Sequence, residues 1–395
     1  MTESRPFGTA AQCKRAASLD LARGAMLLLI VLAHVPLYLY ATEPGIMQRV
    51  ASGSILDQAV NLFGVLVIDN RARAMFATLF GYGLVLAYER QAAHGTHPQI
   101  ALKSIRRRSG FLILFGIVLA VVIGGQDILM AYGTAGLLVS SLLTREQRAW
   151  KRAFVTVTTL YILFVPIFWG FNMQEMGSYG FPPEVTAEDT YLHSALIRLT
   201  SFPTIPILIH VLFPILPSVL LGMWMARLRL LTEPQQQSRT IASIIRIGLP
   251  VSLLGALPVT LLGTLWQPAW FTAGLAQGLH ILTGIAGGLS YAAVFGLLGA
   301  MLGKPITWAR AVMAVGKRSL TFYVWNEAVL VLLFSPVALD LGGRLSNAAA
   351  ALIAVGVWVL SALLAAGLEK MNKNGPLEAL LRRLITASNS HDYTT

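Results

Sequence analysis

Charge is scarce in this chain. Only 12% of its 395 residues are Asp, Glu, Lys or Arg, about half the share of an ordinary soluble domain, which excludes a water-soluble globule. Acidic groups are scarcer still, 18 against 30 Lys and Arg. The basic residues gather at the ends of apolar runs, so the excess reads as the positive-inside pattern of a membrane protein and not as a nucleic-acid surface. One cysteine, Cys13, excludes an intramolecular disulfide. No internal repeat is visible, so the inverted-repeat signature of many transporters is missing. No compact spacing of His, Cys, Asp or Glu supports a metal site, and none is expected.

What the chain has instead is apolar length. Hydrophobic residues make up 55% of it, with a mean hydropathy of +0.66. A helix needs about 20 apolar residues to cross a bilayer. Runs at 18–40, 74–88, 109–123, 128–143, 154–171, 206–225, 247–265, 272–302, 320–336 and 348–368 predict an all-α, polytopic transmembrane bundle of about ten spanning helices. The run 55–68 is too short to span and carries Asp57 and Asn61, which suggests an interfacial or re-entrant helix. Segments 89–108, 144–152 and the C-terminus read as basic cytoplasmic loops, and 172–201 as an outer loop. Both termini are then cytoplasmic. The organisation is a tail over 1–17, one helical domain over 18–368 and a second tail over 369–395.

Ionisable residues inside such helices are functional candidates by default, because burying them unpaired is costly. In the first helix Arg23 and His34 stand eleven positions apart, roughly 16 Å and close to three turns, which puts them on nearly one face at opposite depths. Taken singly, Arg23 could snorkel to headgroups and His34 could bond a neighbouring helix. His34, His210 and His280 fall at similar outer depth in separate helices. Asp127 opens the fourth helix at that depth, and Asp69, Arg71 and Arg73 open the second. A shared outward cavity is the expectation, with a carboxylate fixing a histidine tautomer for general base work; structural core histidines are the plainer reading of His210 and His280. In the ninth helix Tyr323, Asn326 and Glu327 enter the bilayer within three turns of the inside, and Glu327 needs a proton or a partner such as Arg23. Arg23, Arg106, Arg107, Arg108 and Arg318 gather towards the inner face, as a phosphate-binding mouth would require and as basic loops do anyway.

The phrases LDLARGAMLLLIVLAH, RARAMFATLFGYGL, GQDILMAYGTAGLL, LPSVLLGMWMARL, VGKRSLTFYVWNE and GPLEALLRRLIT resemble, in this order, the YeiB-like bacterial inner-membrane proteins catalogued as domain of unknown function 418. That group resembles transmembrane acyltransferases more distantly, the O-antigen acetylases and the heparan-alpha-glucosaminide N-acetyltransferase type. In the acetylases an Arg, ten residues and a His mark the first helix, as Arg23 and His34 do. YeiB-like chains usually end this motif in Val-Asn; here it is Ala33-His34.

The resemblance implies a multi-pass enzyme that moves an acetyl or similar group from cytoplasmic acyl-CoA to an envelope glycan, glycolipid or small-molecule acceptor. It implies acyl-CoA phosphates near Arg23 and the basic inner residues, His34 as base or acyl carrier, and Asp127 orienting the imidazole, with Glu327 a further catalytic candidate. Arg71, Arg73, His210, His280, Tyr323 and Asn326 are the candidate cavity lining. The alternative is a transporter or flippase of a small molecule or lipid-linked sugar, using the same polar groups without covalent chemistry. The expected partners are the bilayer, acyl-CoA, an acceptor, and a second copy of the chain.

Overall fold

The computed structural model describes residues 17–40, 49, 53–180, 188–202, 204–301 and 306–390. The expected N-terminal tail lies outside them except for Ala17, as does Cys13. Fifteen α-helices are described, and no strand is formed by the described residues. They are α1 (Ala17–His34), α2 (Ile55–Phe63), α3 (Arg71–Ala93), α4 (Pro98–Ile117), α5 (Leu129–Val139), α6 (Gln147–Met176), α7 (Tyr191–Ser201), α8 (Ile205–Leu212), α9 (Ile215–Arg227), α10 (Ser238–Leu261), α11 (Trp270–Met301), α12 (Thr307–Lys317), α13 (Ser319–Phe334), α14 (Asn347–Lys370) and α15 (Pro376–Ser390).

Among the described residues, five helical segments are long and apolar enough to cross a membrane: Ala17–Tyr38, Gln147–Met176, Ser238–Leu261, Trp270–Gly299 and Asn347–Lys370. Three shorter apolar ones accompany them, Leu129–Leu143, Ile215–Arg227 and Ser319–Phe334. The fold is that of a helical membrane protein. α6 shows why: Val155, Leu160, Ile162, Leu163, Phe164, Ile167 and Phe171 all face outward, an arrangement that water would penalise and lipid accepts.

The centre of the bundle is α1. Ala22, Met26, Leu27, Ile30 and Val31 are wholly or almost wholly buried, and the helix packs on α3, α11, α12, α13 and α14. It ends where Pro36, which has no N–H to donate, converts the chain into a tight turn over Val35–Tyr38. α3 and α9 approach closely because each offers a glycine to the other: a Cβ on Gly81 would overlap the Val219 carbonyl, and one on Gly222 the Thr78 carbonyl.

Several expected boundaries shift, each for a local reason. The expected basic loop 89–108 is mostly helix, since α3 runs to Ala93 and α4 begins at Pro98; Arg, Lys, Gln and Ala are good helix formers, and Pro98 suits a first helical position. The expected span 206–225 is broken into α8 and α9 at Phe213 and Pro214, where the residue before proline is held extended. Part of the expected outer loop is α7, started by the Thr190 hydroxyl accepting from the His193 N–H.

The 55–68 run is a short helix, α2, continued by a wider turn over Gly64–Ile68. Ser54 and Asp57 form a reciprocal cap at its start. The second Asp57 oxygen accepts from the Ala348 N–H at 2.8 Å, stapling α2 to the first turn of α14. The Ala348 amide, aided by the Ser54 and Ser346 hydroxyls against the opposing effect of burial, lowers the Asp57 pKa to about 2. A depressed carboxylate adds stability that is complete above its ordinary value near 3.8 and is lost as pH falls through about 2. Asp57→Ala is therefore expected to destabilise by about 1–2 kcal/mol at pH 7. The gap from wild type should close as acid unfolding is followed from pH 4 towards pH 2.

Candidate functional site

Three polar groupings lie in the bundle. The first joins the end of α1 to α13. Tyr323, Asn326 and Glu327 lie three and four positions apart and so share one helix face; all are buried, Glu327 completely. His34, the last residue of α1, places Nδ1 2.7 Å from Glu327 Oε1. Tyr38, carried round by the Pro36 turn, donates its hydroxyl to Glu327 Oε2 at 2.8 Å. Both carboxylate oxygens are thus in use. The His34 side chain keeps 11% of its surface open, and among the described residues nothing hydrogen-bonds its Nε2. With Glu327 as a carboxylate, Nδ1 carries the ring proton and Nε2 is left as the lone pair, an arrangement that can serve a base.

The expectation that Asp127 orients His34 is corrected here. Asp127 accepts from the backbone N–H groups of Leu129 at 2.9 Å and Met130 at 3.0 Å, where the free amides and dipole at the start of α5 favour a carboxylate. The same segment is gripped by the tyrosines. Tyr38 accepts from the Gln126 N–H at 2.9 Å. Tyr323 donates to the Gln126 carbonyl at 2.6 Å and accepts from the Ile128 N–H at 3.2 Å. Its ring packs edge-on to His34. Asn326 turns the other way and accepts from the Ser361 hydroxyl at 2.6 Å.

A second grouping surrounds the start of α3. Arg71 is 1% exposed. It donates to the carbonyls of Val65 and Asp69 at 2.8 and 2.9 Å and to that of Ser252. Its Nη1 also lies 2.8 Å from His280 Nε2. His280 is fully buried, with Nδ1 3.2 Å from the Asn70 amide nitrogen. Arg73 donates to Asn70 Oδ1 and stands 3.5 Å over the Phe213 ring. Arg49 makes a two-pronged pair with Asp69, both bonds 2.7 Å, and both partners are buried. Arg49 was no candidate in the sequence, where it sits in an ordinary polar stretch; only its return onto Gly64, where a Cβ would overlap the guanidinium, reveals its place.

His210 belongs to neither grouping. It lies on α8 with Nε2 2.9 Å from the Ala131 carbonyl. The three histidines therefore have three separate sets of partners, and the single shared cavity expected from their depths is not formed by these contacts. Depth along a helix leaves open which way a side chain faces.

The third grouping is the basic end. Arg23, half-buried, has its guanidinium against Gly83 of α3. Arg106 donates to the Ser140 hydroxyl at 2.9 Å. Arg106, Arg107 and Arg108 are consecutive on a helix and point about 100° apart, so they cannot converge on one phosphate as loop residues could. Arg318 is a brace. It donates to the Lys373 carbonyl at 3.0 and 2.7 Å and to the Ala314 carbonyl at 3.1 Å, and pairs with Glu369 at 2.7 Å. Nearby, Glu378 of α15 accepts from the Leu320 and Thr321 amides at 2.8 and 3.2 Å, capping the start of α13. Among the described residues no group of three His, Cys, Asp or Glu is placed to hold a metal ion.

The fold and these buried polar groups define a helical membrane protein. Residues 225–388 match the family model described as Protein of unknown function (DUF418), so the expected kinship with the YeiB-like group is borne out over that stretch. Glu327, Tyr323, Asn326, Arg318 and His280 fall inside it; His34, Arg23 and Asp127 precede it. No curated protein matches the chain.

Proposed function

We propose that the protein is a multi-pass acyltransferase of the bacterial inner membrane, with about ten crossings and both termini cytoplasmic. It would move an acetyl or similar group from acyl-CoA to an envelope glycan, glycolipid or small-molecule acceptor. The observation that carries this reading is the His34–Glu327 pair, with Nδ1 held and Nε2 without a hydrogen bond among the described residues. His34 Nε2 takes the proton from the acceptor hydroxyl or amine as its oxygen or nitrogen bonds to the thioester carbonyl carbon. The C–S bond then breaks, and the imidazolium returns the proton to the departing thiolate. Glu327 holds the ring through both steps and offsets its transient charge. Arg23, three turns along α1, and the arginines of α4 supply positive charge for the CoA phosphates.

The test is acetyl-CoA binding and slow hydrolysis by the purified protein. His34→Ala should bind acetyl-CoA but lose hydrolysis by about 100-fold or more. Arg23→Ala should weaken binding by about tenfold or more. A wild-type protein that neither binds nor hydrolyses acetyl-CoA or longer acyl-CoAs would overturn the reading, and a flux assay for a transported small molecule comes next.

A further inference from the structure

The second grouping carries more positive charge than its carboxylate can answer. Arg49, Arg71 and Arg73 bring their guanidinium groups together around the start of α3. Among the described residues Asp69 is the one carboxylate that acts on Arg71 and Arg73, and Arg49 already occupies both of its oxygens. The other two arginines are left without a counter-ion, a costly state inside a bilayer. Arg71 is sealed in, and backbone carbonyls meet its charge. Arg73 is only half-buried. An arginine has five N–H donors; one of these goes to Asn70 Oδ1 at 3.1 Å, and Arg73 makes no other side-chain hydrogen bond among the described residues. Its guanidinium hangs between Asn70 and the Phe213 ring. A cavity of about 10 Å³ lies there, lined by Arg73, Asn70, Pro214, Ser218, Ile281 and Ile285 among others. It has room for one guest the size of a water molecule. The Ser218 hydroxyl stands on the same wall, and its bond to the Pro214 carbonyl is long, at 3.3 Å.

We propose that this cavity holds a single halide ion, chloride in the cell, bound by the Arg73 guanidinium with the Ser218 hydroxyl as second donor. Water fits the volume but brings no charge, so it leaves the surplus standing. A carboxylate or a phosphate brings the charge, but each has several heavy atoms and the space takes one water-sized guest. A monatomic anion meets both conditions with the least rearrangement. Asn70 and Arg73 belong to α3, Pro214 and Ser218 to the break between α8 and α9, and Ile281 and Ile285 to α11. The ion thus ties three elements together at the point where the chain between α8 and α9 is interrupted. Nothing in this inference rests on the acyltransferase reading.

The test dialyses radiolabelled chloride to equilibrium against the purified protein in detergent, with sodium gluconate as the only other salt. Wild type should bind a single ion per chain at millimolar concentrations, displaced by bromide and not by acetate. Arg73→Gln and Arg73→Met should each weaken binding by about tenfold or more. Arg382→Gln, which removes an exposed charge of α15, should bind as wild type does. Bromide soaked into wild-type crystals should scatter anomalously beside Arg73, a result that needs no variant to fold. A wild type that binds no chloride would overturn the proposal and leave the cavity to water. Equal displacement by acetate, undiminished binding by folded Arg73 variants, loss of binding in Arg382→Gln, or bromide found only at other positions would each overturn it as well.

Discussion

Replacing Glu327 by alanine is expected to remove both stability and turnover. Its carboxylate is fully buried and accepts from His34 Nδ1 at 2.7 Å and the Tyr38 hydroxyl at 2.8 Å. Alanine leaves two buried donors unmet, a loss of about 3 kcal/mol or more. Glu327→Gln separates the two roles. Glutamine keeps the shape and one acceptor oxygen, so thermal unfolding in detergent should show the smaller loss, about 1–2 kcal/mol. It has no charge to offset an imidazolium, and its NH2 would face one of the two donors. Acetyl-CoA hydrolysis should fall by about 100-fold or more while acetyl-CoA binding persists. Full turnover by Glu327→Gln would mean that the carboxylate only holds the helices together.

The second large effect is expected at Asp69. Its pair with Arg49 is bidentate and shut away from solvent, the side chains being 5% and 4% exposed. A buried ion pair adds little beyond a well-packed apolar one, but removing a single partner strands a charge. Asp69→Ala should therefore destabilise by about 3–5 kcal/mol. The double variant Arg49→Ala/Asp69→Ala should lose less than the two single variants summed, because no charge is left unpaired. Unfolding midpoints of the four proteins in one detergent give the coupling directly. Strict additivity would show that the two side chains are solvated independently.

Apolar length was readable in the sequence, since α6, α11 and α14 follow from composition alone. The break between α8 and α9 was announced by Pro214, yet the apolar residues on either side of it made one run. Arg23 and His34 were marked by helical periodicity, and Glu327 by the expense of a carboxylate in an apolar helix. Which carboxylate meets His34 was not legible. Asp127 was expected at the outer depth of His34, and Glu327 nearer the inner face with a partner such as Arg23. Glu327 instead meets His34, an outcome set by how α13 and α5 are placed along and rotated about their axes. Arg49 could not be picked out, because an arginine in a polar stretch carries no sign of burial until a distant turn closes over it.

His34 and Glu327 are 293 residues apart in the chain. At a synthesis rate of about 5–20 residues per second, His34 exists for roughly 15–60 s before its carboxylate is made. During that interval α1 is already complete, and neither Glu327 nor the α15 residue that caps its helix has left the ribosome. The pair thus dates itself to the end of biogenesis. A chain halted anywhere before α13 inserts the histidine and leaves it without its counterpart, so cross-linking at these two positions would time the moment at which the protein becomes whole.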